Sequence, residues 1–260
     1  MATASAMRKP GFMVHARGTW NPREDRLPSV VWLALLWSGI LAGFGVDMGR
    51  FLHQTPSASL VADVHAIVFT GWMILLTAQV LLVVGNRVAW HRTMGWVTAG
   101  WACLMAVLGP WAAIVSQIRH LHGGGLAPAF LAVQLGGVAS FLLFVVVGIT
   151  LRKNSAAHKR MMILSTIALV DAGSGRFSAW IWPNEPTSRM LWFLWECYGS
   201  VLIIALMVAW DWWRGRLMKQ FLLGALGLVG IECVETLLYF WGPWKTATTA
   251  FIVACSKLHF

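Results

Sequence analysis

The stretch VADVHAIVFTGWMILLTAQVLLVVG, residues 61–85, is a long apolar run with one aspartate and one histidine near its start. A helix that crosses a bilayer needs about 20 mostly apolar residues, and this run is long enough. It lacks the period-two alternation of a half-buried strand. The stretch therefore predicts a membrane-spanning helix, in which Asp63 and His65 are unusual because ionisable side chains are unfavourable in lipid.

The composition extends this prediction to the whole chain. Of the 260 residues, 58% are hydrophobic and 12% are charged, and the mean hydropathy is +0.68. Soluble domains carry about 25% charged residues, so this chain has too few to cover a water-facing surface of normal size. The 17 tryptophans fit the same class, since indole rings favour the membrane–water boundary. We predict an integral membrane protein.

Seven apolar runs separated by short polar connections predict the architecture. The fold class is all-α, a polytopic bundle of about seven transmembrane helices. The helices are expected at roughly 30–49, 61–85, 94–118, 127–151, 160–182, 190–211 and 220–241. This divides the chain into a basic N-terminal arm (1–29), a transmembrane domain (30–245) and a short apolar tail on the outer side (246–260).

The basic residues predict the orientation, because lysine and arginine concentrate on the cytoplasmic side of membrane proteins. With the N-terminus inside, 14 of the 20 lysines and arginines fall on the inner side and 5 on the outer side, and Arg176 remains within a helix. We expect a multi-pass protein of a bacterial inner membrane. The net charge of +10 then indicates acidic lipid headgroups as partners rather than nucleic acid, with other membrane subunits as further candidates.

Ionisable residues inside the predicted helices form an embedded polar cluster. Its members are Asp171, Arg176, Glu196, Glu232 and Glu235. Neighbouring carboxylates in a low-dielectric medium do not both stay ionised without a cation. We therefore expect Arg176 to pair with Glu235 or Glu196, and Asp171 or Glu232 to be protonated. The cluster is either a structural ion-pair group or part of a proton or substrate path. The four cysteines show no metal-type spacing and are interpreted as small packing residues.

Histidines near the ends of predicted helices are the candidate cofactor ligands. They are His65, His91, His120, His122 and His158. Haem b held between two histidines on different helices is a usual means of carrying electrons through a helical bundle. His91 and His158 would form an inner pair, and His65 with His120 or His122 an outer pair. The alternatives are a zinc or iron site of His65 with outer-side carboxylates, and histidines that cap helices, bind lipid phosphate or form hydrogen bonds between helices.

The helical stripe that contains His65 is expected to face other helices. At helical spacing it continues along one face through Phe69, Trp72, Leu76 and Gln79. Asp63 is two residues from His65 and points elsewhere, so the two do not form an Asp–His pair within one turn.

The order of the histidine motifs resembles that of bacterial families of multi-helix predicted membrane proteins of uncharacterised function. In those families a histidine opens one helix, an HR-x-x-G starts the next, and an HK/HR-x-x-M begins a later helix that ends in an arginine. The matching residues here are His65, His91, Arg92, Gly95, His158, Lys159, Met162 and Arg176, within residues 60–180. The resemblance implies a helical membrane fold. More distantly, the chain is similar to b-type cytochromes and cytochrome oxidase assembly factors, which implies haem as the cofactor.

Three functions are consistent with these patterns. The first is a redox or haem-linked membrane protein that uses His65, His91 and His158. The second is a proton-coupled carrier that uses the embedded acidic and arginine side chains. The third is a non-catalytic membrane subunit or assembly factor, in which the histidines and charges are structural. The sequence does not decide whether the chain is an enzyme.

Overall fold

The computed structural model describes residues 22–55, 57–123 and 127–257, apart from the side chains of Pro22, Arg23, His122 and Gly123. Most of the predicted N-terminal arm, up to residue 21, lies outside these ranges, as do residues 258–260 of the predicted tail. Within them the chain consists of helices joined by short connections and contains no strand. The all-α prediction is therefore confirmed.

Eight α-helices make up the described chain. They are α1 (Arg26–His53), α2 (Leu60–Val84), α3 (Val88–Gly123), α4 (Leu131–Thr150), α5 (Ser155–Ile181), α6 (Arg189–Trp213), α7 (Lys219–Phe240) and α8 (Gly242–Ser256). Short 3₁₀ turns precede α1 and α4. Side-chain caps fix two of the starts: Ser59 Oγ accepts from Ala62 N before α2, and Asn154 Oδ1 accepts from Ala157 N before α5, each at 3.2 Å.

Six of the helices are long and apolar enough to cross a membrane, namely α1, α2, α3, α4, α6 and α7. The chain is thus a helical, multi-pass membrane protein. The run predicted at 160–182 corresponds to α5, which is not among the six. Its lysine, arginine, aspartate and hydroxyl side chains make it less apolar than the others.

The predicted apolar tail forms a separate helix, α8, and packs back on the bundle. With 15 residues it is shorter than the roughly 20 that a span requires. Its Ile252 is fully buried beside Ala113 of α3 and Leu131 of α4. The indole N–H of Trp244 donates to the carbonyl oxygen of Ala129 at 2.9 Å, which ties α8 to the turn before α4.

Helix α5 lies at the centre of the bundle and contacts α1, α4, α6 and α7. It buries hydroxyl groups such as Ser165 and Thr166 completely. The indole of Trp72 in α2 is fully buried and donates to Thr166 Oγ1 at 3.1 Å. The same ring meets Phe141 of α4 edge-on, with 4.7 Å between ring centroids. The predicted stripe on α2 therefore faces other helices.

The contact between α1 and α5 is so close that it depends on glycine. A Cβ atom added at Gly43 would lie 2.5 Å from Gly173 Cα, and one added at Gly173 would lie 2.5 Å from the carbonyl oxygen of Gly39. Such distances are shorter than real Cβ contacts, and the obstructing atoms are backbone, which cannot move aside. Small residues at helix interfaces are a general means of close packing in membranes.

A network of ion pairs joins the start of α1, the start of α5 and the end of α6. The buried guanidinium of Arg160 donates to both carboxylate oxygens of Asp211, at 2.5 and 2.7 Å. Lys159 Nζ binds the buried carboxylate of Asp25 at 2.6 Å, and the same oxygen lies 3.7 Å from Arg160. Removing one member would leave a buried charge without its partner, which is strongly destabilising.

Glu24 extends this network at the surface. It lies in the 3₁₀ turn before α1, outside the spanning helices, and pairs with Arg216 and, at 3.1 Å, with Arg214. The hydrogen bond and positive charge of the Arg216 guanidinium lower the pKa of Glu24 below its ordinary value of 4.5. A lowered pKa means that Glu24 stabilises the folded state when ionised.

We expect Gly43→Ala to lower the free energy of unfolding, by about 1–3 kcal/mol or more as for other overpacked sites. Gly45→Ala is the matched control on the same helix, because a Cβ there meets no atom within 4 Å. Alanine has the higher helix propensity, so the control should be neutral or slightly stabilising. Thermal unfolding in detergent, followed by tryptophan fluorescence, measures both. Equal stability of the two variants would contradict the close α1–α5 contact.

We expect Glu24→Gln to lower the unfolding temperature slightly at pH 7, because the exposed pair contributes modestly. The contribution of a group with a lowered pKa is present above its unfolded value and disappears as the pH falls through the folded value. The difference between wild type and variant should therefore persist at neutral pH and vanish below pH 4.5. A difference that grows on acidification would contradict the assignment.

Candidate functional site

The structure brings together the two histidines predicted to form the inner pair. His91 lies in the first turn of α3 and His158 in the first turn of α5. Their ring centroids are 6.2 Å apart, and the ring planes are nearly perpendicular, at 81°. Both side chains are half-buried. Two imidazoles from distant parts of the chain thus form one site at one end of the bundle.

A hydrogen bond to the neighbouring helix fixes the ring of His158. Its Nδ1 lies 2.7 Å from the carbonyl oxygen of Gly148 in α4, and since a carbonyl only accepts, Nδ1 carries the proton. In a neutral imidazole Nε2 then has a free lone pair. No hydrogen bond occupies Nε2 of His158 or His91 within the described ranges.

Gln79 of α2 holds the ring of His91. Its buried amide lies between His91 and the next turn of α3. In the orientation that satisfies both ends, the amide nitrogen donates to His91 Nδ1 and to the His91 carbonyl oxygen, at 3.2 Å for the latter. The amide oxygen then accepts from Thr98 Oγ1 at 3.1 Å and from Gly95 N at 3.0 Å. The glutamine at the end of the α2 stripe is therefore a positioning group for His91.

Of the two predicted outer pairs, His65 with His120 is not brought into contact, and His65 with His122 lies outside the described side chains. His65 stacks on Phe69 with ring centroids 3.9 Å apart, and its buried Nδ1 has no hydrogen bond. His120 Nδ1 instead lies 2.7 Å from the carbonyl oxygen of Ser116, and no ring contact joins His65 to His120 in the described chain. His122 belongs to α3, but its side chain is outside the described part.

Depth explains why His65 and His120 stay apart. A Cβ added at Gly109 of α3 would lie 3.3 Å from Phe69 Cζ, so these two residues are level with each other. His65 lies one turn before Phe69 on α2, and Ala113 lies one turn after Gly109 on the antiparallel α3, so His65 is level with Ala113. At about 1.5 Å per residue, His120 lies roughly 10 Å further along α3.

Arg176 pairs with Asp47, and the predicted pairing with Glu235 or Glu196 is wrong. Arg176 Nε lies 3.3 Å from Asp47 Oδ2, and its guanidinium lies 4.5 Å from the ring centroid of Phe44. The close α1–α5 contact at Gly43 is the reason, because the next turn of each helix carries Asp47 and Arg176. Neither glutamate lies within ion-pair distance of Arg176 in the described chain.

The embedded carboxyl groups therefore lie together without the arginine. They come from three helices and are all buried, with exposed fractions of 6% for Asp171, 3% for Glu196, 2% for Glu232 and 6% for Glu235. Asp171 Oδ1 accepts from Ser200 N at 3.3 Å. Within the described residues, neither carboxylate oxygen of Glu232 has a hydrogen bond of normal geometry, although Asp171 and Ser200 lie beside it.

Two glycines make room for glutamates of this cluster. A Cβ added at Gly136 of α4 would lie 2.6 Å from Glu235 Cδ, and one added at Gly175 of α5 would lie 2.9 Å from Glu196 Cδ. The carboxyl groups thus rest against bare backbone of the adjacent helix. The sequence predicted that these residues are embedded, but not that glycines on other helices accommodate them.

Cys197 is the member of the cluster that the sequence did not predict. Its Sγ and one carboxylate oxygen each from Asp171 and Glu232 all lie within 4.8 Å of one another. The three residues come from α6, α5 and α7, so no sequence spacing relates them. The only sequence signal was the neighbouring embedded residue, Glu196.

Comparison with protein-family models, with curated proteins and with solved structures found no match to this chain. The class of protein therefore rests on the fold, which is that of a helical, multi-pass membrane protein. The resemblance of the histidine motifs agrees with this class but identifies no family.

Proposed function

We propose that this protein is a membrane redox protein that holds haem b between His91 and His158. The supporting observation is the 6.2 Å between the two ring centroids. Metal–nitrogen bonds to histidine are about 2.0 Å long, so two imidazoles on opposite sides of one metal have centroids about 6 Å apart. Perpendicular ring planes would be compatible with both rings holding one metal, since a metal–nitrogen bond does not fix the angle between the two planes.

The surroundings of the two rings suit metal ligands. A ligating histidine generally donates its second ring N–H to a carbonyl or carboxyl oxygen, as His158 does to Gly148. The exposed side chains of Arg87 and Arg92 would form charge-assisted hydrogen bonds with the carboxylate groups of a haem at this end of the bundle. When bound, haem supplies one-electron transfer.

The proposal includes α5 as a seventh span and a cytoplasmic N-terminus. The start of α1, the start of α5 and the end of α6 meet in one ion-pair network. A chain that crosses the bilayer once with each helix from α1 to α6 brings these three ends to the same side of the membrane. Because α5 is surrounded by four other helices, its charged groups avoid lipid. The bias of lysine and arginine then puts this end in the cytoplasm, and the inner membrane of a bacterium is the compartment we propose.

The absorption spectrum of the purified protein tests the haem proposal. We expect one haem per chain, with the Soret and α bands of a six-coordinate low-spin haem b. His91→Ala and His158→Ala should each reduce the haem content to less than about one tenth, since each removes a ligand. His53→Ala and His120→Ala are matched controls, because neither residue contacts the pair. They should retain full haem content.

Two outcomes would contradict the haem proposal. One is a folded wild-type protein that takes up no haem even when haem is supplied during expression and after purification. The other is full haem content in both His91→Ala and His158→Ala. Gel filtration and tryptophan fluorescence establish that each variant is folded.

Cysteine labelling tests whether α5 spans the membrane. Lys153→Cys and Ser188→Cys place thiols at exposed positions just before and just after α5, and the unmodified chain gives the background. In intact spheroplasts an impermeant maleimide should label Ser188→Cys and spare Lys153→Cys, with the opposite result in inverted vesicles. Labelling of both from the same side would contradict the seventh span.

A further inference from the structure

We propose that Asp171, Cys197 and Glu232 form a binding site for a divalent metal cation of the zinc type in the interior of the bundle. Each of the three helices α5, α6 and α7 contributes one donor. The carboxylate oxygens and the sulfur all lie within 4.8 Å of one another. The side chains are almost completely buried, so no bulk water competes for the donors.

The state of Glu232 points to a missing ligand. Its side chain is 98% buried, and neither of its oxygens has a hydrogen bond of normal geometry in the described chain, where Ser200 and the carboxyl group of Asp171 lie beside it. Buried polar groups in proteins are almost always paired, and an ionised carboxylate requires a positive partner. Arg176, the arginine that the sequence placed in the same cluster, pairs with Asp47 instead. A cation between Glu232 and Asp171 would satisfy both carboxylates.

The donor set indicates the class of cation. The Cys197 thiolate and one carboxylate together balance the charge of a divalent cation, and the second carboxyl group then keeps its proton, which favours burial in a low-dielectric interior. Calcium and magnesium take oxygen ligands, whereas zinc accepts sulfur, nitrogen and oxygen. The thiol of Cys197 therefore favours zinc and its analogues cobalt and cadmium.

The dimensions are compatible with such a site. Zinc bonds of about 2.0 Å to oxygen and 2.3 Å to sulfur place tetrahedral oxygen and sulfur ligands about 3.3–3.5 Å apart. The three donors, which lie within 4.8 Å of one another, therefore need to approach by at most about 1.5 Å. Three protein ligands leave a fourth position for water or a transported ligand. The site does not depend on the histidine pair, which lies at the end of the bundle, so either proposal can fail alone.

Zinc binding to the purified, chelator-treated protein in detergent tests this site. Equilibrium dialysis with elemental analysis should give one saturable zinc per chain, and cobalt should add a thiolate charge-transfer absorption. Glu232→Gln and Asp171→Asn should weaken zinc binding at least about tenfold, because each removes a ligand. Cys197→Ser should abolish the cobalt–thiolate absorption.

The chain offers matched controls for each variant. Glu235→Gln removes a buried carboxylate one turn away, and Cys233→Ser removes an exposed thiol next to Glu232. Both should bind zinc like the wild type, and so should His158→Ala, which excludes the histidine pair as the zinc site. A folded wild type with no saturable zinc binding overturns the proposal. Unchanged binding in both Glu232→Gln and Asp171→Asn also overturns it, because the zinc would then bind at another site.

Discussion

The structure depends on keeping the polar side chains of α5 away from lipid. A helix with lysine, arginine, aspartate and buried hydroxyl groups is unfavourable beside hydrocarbon, and contacts with α1, α4, α6 and α7 remove it from that environment. The glycine contact at Gly43 and Gly173 lets α1 approach closely enough to cover one side. On another side of α5, the indole of Trp72 donates a hydrogen bond to the hydroxyl group of Thr166.

The titratable side chains of the bundle are arranged around α5, because α5 contributes one partner to each pair or cluster that they form. From its start towards its end, His158 meets His91, Arg160 meets Asp211, Asp171 meets Cys197 and Glu232, and Arg176 meets Asp47. The partners come from four different helices. Helices α1, α6 and α7, which cover α5, and α3 near its start thus each place a titratable side chain beside it.

The sequence predicted that His91 and His158 lie at the same depth, but it misplaced His120 and did not predict which helices are neighbours. Apolar runs predicted the helices, and the positions of His91 and His158 at two helix starts predicted that they share a depth. Hydropathy contains no information on how the helices are arranged around α5. The pairing of Arg176 was wrong for that reason, since Asp47 and the glutamates were both near enough in depth. Cys197 was missed because its partners lie on other helices. His120 was paired with His65 because the sequence did not show that α3 extends well beyond the level of His65.

The low hydropathy of α5 also has a consequence for how the protein is made, given the seventh span that we propose for this helix. A segment of this kind does not partition into a bilayer by itself, and it emerges from the ribosome before α6 and α7, which cover part of its surface. We therefore expect the insertion machinery to retain α5 next to α1 and α4 until the last helices have been synthesised. A nascent chain that stops after α5 should be recognised as defective and degraded, whereas one that stops after α4 consists only of self-sufficient spans.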